Sequence, residues 1–167
     1  MLYETDLCYA PSMLRVPAFR QTTGYCGPAC LKMILAYYGH TKSEAALAKL
    51  AHSTHEFGTP GERLVEVASM LGYQTVLKDN VTLSDLRRWV LQRKIPVIVN
   101  WFLVDEGHYS LVVHLDAKHI TLLDPDIGAK RKMPLSTFMR VWFDFTSPHA
   151  KTKKDFIVRR MIAIFPT

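Results

Sequence analysis

The chain has 167 residues, 49% of them hydrophobic and 22% charged, with a formal net charge of +6. That length suits a single domain spanning residues 1–167, and the apolar content excludes a disordered or fibrous polypeptide because it can bury a core. Three cysteines are too few for a disulfide framework. The N-terminus lacks the basic start and apolar run of a secretory signal, and no window reaches the roughly 18 apolar residues of a membrane span, so a cytoplasmic protein is expected.

The first half reads as helical. In "YCGPACLKMILAYYG", Pro28 suits the first helical position, Leu31, Ile34, Leu35 and Tyr38 recur at helical spacing, and Gly39 ends the run. "TKSEAALAKLA" follows, with Thr41 and Glu44 spaced to satisfy the free amides of a helix start. "TPGERLVEVASMLG" repeats the device with Thr59, Pro60 and Glu62, and its Leu64, Val67, Ala68 and Leu71 form an apolar stripe. "TLSDLRRWVLQRK" predicts a fourth helix capped by Thr82, with Leu86, Trp89 and Val90 facing inward.

The period then changes. "IPVIVNWFLV" has the continuous β-branched, apolar character of a buried strand. "HYSLVVHLD" and "HITLLDP" read as a hairpin, "AKRKM" as a short basic strand, "LSTFMRVW" as a short helix and "DFIVRRMIAIF" as a final strand. A helical half followed by an antiparallel sheet defines an α+β protein.

Chemistry centres on Cys26. A helix N-terminus offers unpaired N–H groups and partial positive charge, which favour the nucleophilic thiolate; a small buried hydrophobe is the competing reading, and it is kept for Cys8 and Cys30. Cys26-x-x-x-Cys30 has no second ligand pair, so no metal is expected. Among seven histidines, His40, His52, His55, His119 and His149 fall in turns or polar connections, and His114 lies within a strand. His108 follows Gly107 and opens a strand, where its ring can project from the sheet's end.

If the hairpin turns near Asp116 to Lys118, facing positions have numbers summing to roughly 232 to 235. Asp124 then falls close to His108 and can orient its ring; Asp116 and Asp126 compete, the first as a turn residue. Gln21 can donate to a developing oxyanion beside the Cys26 amide. Gln, Cys, His and Asp thus supply a donor, nucleophile, base and orienter. Tyr25, Trp101 and Tyr109 flank these residues and are candidate cleft walls, with burial in the core as the competing and commoner reading of such aromatics.

"VPAFRQTTGYCGPACLKMILAYYG" resembles the opening motif of the double-glycine, or bacteriocin-processing, cysteine peptidases and their stand-alone relatives. "GHYSLVVHLDAKHITLLDP" resembles that family's Gly-His and Asp-Pro segments, and "LSTFMRVW" its closing helix, so the similarity runs over about residues 16–145. The resemblance implies a papain-like cysteine peptidase fold, in which a helical lobe carries the cysteine and an antiparallel sheet carries histidine and aspartate. It makes Cys26 the nucleophile, His108 the general base, Asp124 its orienter and Gln21 part of the oxyanion hole. Well-known members trim leader peptides after Gly-Gly as domains of membrane transporters, and no transporter or nucleotide-binding segment is read in these residues.

The expected function is cysteine-peptidase-type hydrolysis of a peptide, with leader-type Gly-Gly bonds as one substrate class and no cofactor. Two alternatives use the same residues differently: a glutamine deamidase or acyltransferase, and a non-catalytic peptide-binding module. The partner is a peptide or protein. The basic runs "AKRK" and "KTKK" read as solvated surface, so no nucleic acid is expected.

Overall fold

The computed structural model describes residues 12–146 and 151–167; Cys8 and His149 lie outside them. The first helix, α1 (Cys26–Tyr37), is apolar on nearly every side, with Cys30, Leu31, Met33 and Ile34 all but inaccessible. Such a helix must lie inside the protein, and α1 packs on the sheet. It begins earlier than the Pro28 expectation: Cys26 is the first helical residue and Pro28 the third. Amides of the first turn have no helical partner, so the missing proline N–H costs nothing there either.

Two expected helix caps form differently. The second helix, α2 (Glu44–Leu50), is capped by Ser43, whose hydroxyl accepts from the Ala46 amide at 3.2 Å. Thr41 is not the cap, and the Glu44 carboxylate reaches Thr22 instead. The third, α3 (Gly61–Met70), buries Leu64, Val67 and Ala68 as the stripe predicts, but Pro60 precedes it and the Thr59 hydroxyl is 2.6 Å from that of Ser53. The Thr82 cap of α4 (Leu83–Arg87) does form, reciprocally with Asp85, and a π-helical turn (Arg88–Gln92) continues it.

Six strands make one antiparallel sheet: β1 (Gln74–Lys78), β2 (Val97–Leu103), β3 (Glu106–Leu115), β4 (His119–Asp124), β5 (Ala129–Pro134) and, late in the chain, β8 (Met161–Phe165). Their order is β1-β8-β2-β3-β4-β5. After α5 (Leu135–Val141), β6 (Phe143–Phe145) and β7 (Phe156–Val158) form a separate two-stranded ribbon. Its phenylalanines cluster with Phe102, whose ring stacks on Phe143 at 5.2 Å.

The sheet differs from expectation in three places. β1 lies among the helices, so the halves are not cleanly segregated. β6 was not anticipated. "DFIVRRMIAIF" is two strands in two sheets, because Arg159, at φ 49°, turns the chain between β7 and β8. The β3–β4 register matches expectation: Leu111 faces Leu123 and Val112 faces Leu122, before a bulge shifts the pairing by one at His114–Thr121.

Candidate active site

Asp124 ends the buried strand β4. Continuing the Leu111–Leu123 pairing by one residue puts Ser110 opposite it, so His108, two positions along β3, is its diagonal neighbour on the same face. On the other side Ala129 faces Asp124, and Arg131 of β5 is the second diagonal neighbour. Both reach it. His108 Nε2 is 2.6 Å from Asp124 Oδ1, and Arg131 Nε donates to Oδ2 at 2.6 Å. The Asp126 amide adds a bond to Oδ1 at 3.0 Å. Asp124 is fully buried. Burial alone would raise its pKa, yet the bonds and charges of His108, Arg131 and Asp126 hold the carboxyl below its ordinary value.

The Cys26 thiol acts on the same imidazole through hydrogen bonding and charge. Burial pushes His108 down, but hydrogen bonds and charge from Asp124 and Cys26 more than offset it, and the net effect raises the ring to about 9. Trp101 stands edge-on to the imidazole, with centroids 5.6 Å apart, and donates Nε1–H to Ser110 Oγ at 3.1 Å. Trp101 is therefore a buried neighbour of the histidine, with the Arg131 guanidinium over its ring at 5.9 Å, and follows the core reading of the sequence.

Cys26 is partly accessible at the first turn of α1, whereas Cys30, one turn on, is sealed in the core and its thiol is pushed up by burial. The loop leading to Cys26 is anchored at three points. The Gln21 amide donates to Pro125 O at 2.8 Å, tying the loop to the strand end that carries Asp124. Thr22 N and Oγ1 donate to the two oxygens of buried Glu44 at 2.9 and 2.7 Å. His55 Nδ1 donates to Thr23 O at 2.6 Å, and its ring stacks on Tyr25. Gly24 packs so closely on the His55 backbone, at φ +81°, that no Cβ could be added. Gln21 itself is half-buried, with a buried Oε1 that has no partner.

Other sequence candidates are accounted for. Asp116 accepts from the Lys118 and His119 amides at 2.7 Å each and is a turn residue; Asp126 is exposed. Arg131 was missed because "AKRK" reads as a solvated run, and only strand register reveals that one of its residues faces Asp124. Glu44 was assigned to a cap. Among the described residues, no His, Cys, Asp and Glu group is disposed to hold a metal, and no helix is long and apolar enough to cross a membrane.

A cleft of about 260 Å³ opens beside Cys26. Tyr109 lines it, with Asn100, Gly107, Asp144 and Arg160, none of which the sequence had marked except the tyrosine. Neither Tyr25 nor Trp101 does.

A helical lobe that carries Cys26, packed on an antiparallel sheet that carries His108 and Asp124, is the architecture of the papain-like cysteine peptidase fold. More particularly, the chain belongs to the Peptidase C39 family, whose model matches residues 16–153. The transport/processing ATP-binding protein ComA of Streptococcus pneumoniae is 34% identical over 140 residues, covering 78% of this chain and 18% of that protein. The chain thus spans about a fifth of that relative's length. A protein of Methanothermobacter marburgensis, MTBMA_c00490, is 38% identical over 113 residues, or 67% of this chain and 73% of its own. The fold matches the peptidase domain of Streptococcus ComA, with TM-score 0.72, 22% identity and coverage of 92% of this chain and 100% of that one. It also matches a double glycine motif protease from an AMS/PCAT transporter, solved with its leader peptide, with TM-score 0.74, 18% identity and coverage of 95% and 96%.

Proposed function

We propose that the chain is a cysteine peptidase in which Cys26 is the nucleophile, His108 the general base and acid, Asp124 the orienter and Gln21 an oxyanion donor, all within one domain. The observation that supports the reading is the imidazole of His108 bonded to the buried Asp124 carboxylate and influenced by the Cys26 thiol. With Nε2 committed to Asp124, His108 can exchange a proton with Cys26 only through its other nitrogen. The thiolate attacks the substrate carbonyl carbon, and the oxyanion takes hydrogen bonds from the Cys26 amide and the Gln21 side chain. The C–N bond breaks as the imidazolium protonates the leaving amine. Water, deprotonated by His108, then attacks the thioester and releases the acid and the free thiol.

The substrate is proposed to be a peptide segment of the leader type, as in the AMS/PCAT protease whose structure contains a leader peptide. A Gly-Gly-containing leader peptide is the first substrate to incubate, with products read by mass spectrometry. Two fragments whose masses sum to the peptide plus one water are expected, and Cys26→Ala and His108→Ala should give none. Release of ammonia from an unbroken chain would replace hydrolysis of the backbone by glutamine deamidation. Cleavage that persists in Cys26→Ala would overturn the assignment of the nucleophile.

A further inference from the structure

The cleft beside Cys26 ends in a polar wall with more acceptors than donors. Asp144, from β6, lies over Gly107 so closely that a Cβ there would collide with its carboxylate. The carboxylate accepts Asn100 Nδ2 at 2.8 Å and its neighbour's amide, Phe145 N, at 2.7 Å. Because the Asn100 amide nitrogen is committed to Asp144, its oxygen is the free end. Asn100 is 2% exposed and lines the cleft, and its Oδ1 has no partner. A buried carbonyl without a donor is costly, and in a cleft wall it marks a place where a donor is to arrive from outside.

The nearest cation does not answer it. Arg160 gives Nε and Nη2 to the two oxygens of Asp79 at 2.7 and 2.9 Å, and Nη1 to Glu62 at 2.9 Å. Two carboxylates therefore neutralise that guanidinium and leave a negative excess, to which Asp144 adds. Burial pushes Asp144 above its ordinary value although Asn100, Phe145 and Arg160 oppose the shift. A carboxylate in that state gains most from a charged donor.

Resting on the peptidase reading above, we propose that this cleft binds a cationic side chain, lysine or arginine, of a substrate residue close to the scissile bond, its charged end held by Asp144 and Asn100 Oδ1. The bond between Asn100 and Asp144 fixes both side chains side by side in the cleft lining. Gly107, immediately before His108, leaves room for the Asp144 carboxylate in a cleft that Cys26 also lines. An acidic side chain here meets Asp144 and Glu62 and is rejected; an apolar one leaves the carbonyl and carboxylate unpaired.

The test uses peptidyl acyloxymethyl ketones that alkylate the thiol, identical except that lysine, norleucine, glycine or glutamate occupies each flanking position in turn. The site of labelling is mapped by mass spectrometry, and iodoacetamide serves as a reagent without side-chain recognition. At one flanking position lysine should react with Cys26 about tenfold or more faster than norleucine, and glutamate slowest. In Asp144→Asn the lysine-to-norleucine ratio, taken within the variant, should fall towards one. Should that variant not fold, the four-reagent comparison on the unaltered chain decides by itself. Labelling of Cys26 with no preference for lysine at any position overturns the cationic subsite and leaves the peptidase reading standing. Failure of Cys26 to react with iodoacetamide and with every ketone removes the peptidase reading and this inference with it.

Discussion

Replacing Asp124 with asparagine sets an amide among donors. Asp124 Oδ1 serves His108 and the Asp126 amide, and Oδ2 serves Arg131. An asparagine has one acceptor oxygen. Turned towards His108, it places its N–H₂ against Arg131 Nε–H; turned the other way, it faces two donors instead of one. The first arrangement costs less, because the Arg131 side chain is 31% exposed and can swing into water whereas that of His108 is 5% exposed. Leaving a buried polar group unpaired costs about 1–3 kcal/mol, and stripping a buried ion pair of one partner about 3–5 kcal/mol. With Arg131 partly rescued by solvent, Asp124→Asn should cost about 2–3 kcal/mol, a fall in Tm of roughly 4–12 °C at this chain length. Arg131→Gln in the same background offers the new amide an acceptor and should recover about 1–2 kcal/mol beyond additivity. Urea unfolding of the four proteins, followed by tryptophan fluorescence, measures both quantities. Strict additivity of the two changes, or an unaltered midpoint for Asp124→Asn, would refute the picture of a carboxylate shared between imidazole and guanidinium.

Gln21→Ala should lower kcat by about a hundredfold or more if Gln21 donates to the oxyanion, with peptide binding little changed; an unchanged kcat removes it from the mechanism. Glu44→Gln loses the carboxylate that holds both donors of Thr22, and turnover should fall about tenfold with KM steady, since it acts on the loop and touches no substrate. For pH, His108 is raised to about 9 from an ordinary 6.5. Its contribution to stability is therefore complete below pH 6.5 and lost as the pH rises through about 9, a decline that urea unfolding across that range measures. Asp124, held low, contributes stability above its ordinary carboxylate range that is lost as pH falls through its depressed value.

Periodicity revealed the elements that carry Cys26 and His108, because a buried helix and a two-residue alternation are written in the side chains themselves. Hairpin arithmetic brought Asp124 near His108 for the same reason: a tight turn fixes register, and register fixes which residues are diagonal. Arg131 was hidden since its strand reads "AKRKM", a basic run of alternating exposure whose single inward guanidinium depends on the neighbouring strand. Glu44 matched a local capping pattern, but a long-range bond to Thr22 outcompeted it. Asp144 lies in β6, a three-residue strand too short to show a pattern of its own, and Arg160 belongs to a stretch whose sequence reads as one strand. Only the left-handed turn at Arg159 divides it, and a non-glycine residue gives no warning of that conformation. Asn100 sits in an apolar run where an amide looks like an interruption, and its meaning appears only in its long-range bond to Asp144.

The position of β8 carries a consequence for how the molecule comes into being. This strand, which follows the other five in sequence, sits between β1 and β2 and zips to both. Until Met161–Phe165 is available, the segments holding the thiol, the imidazole and the carboxylate all exist, but two strand edges remain unmatched and Arg160 has not reached Asp79. Closing the sheet links partners more than eighty residues apart, as Leu77 and Ile162 are, a loop closure that local turns cannot hasten. A site built this way rests on a sheet that stays open until its most distant partner has joined.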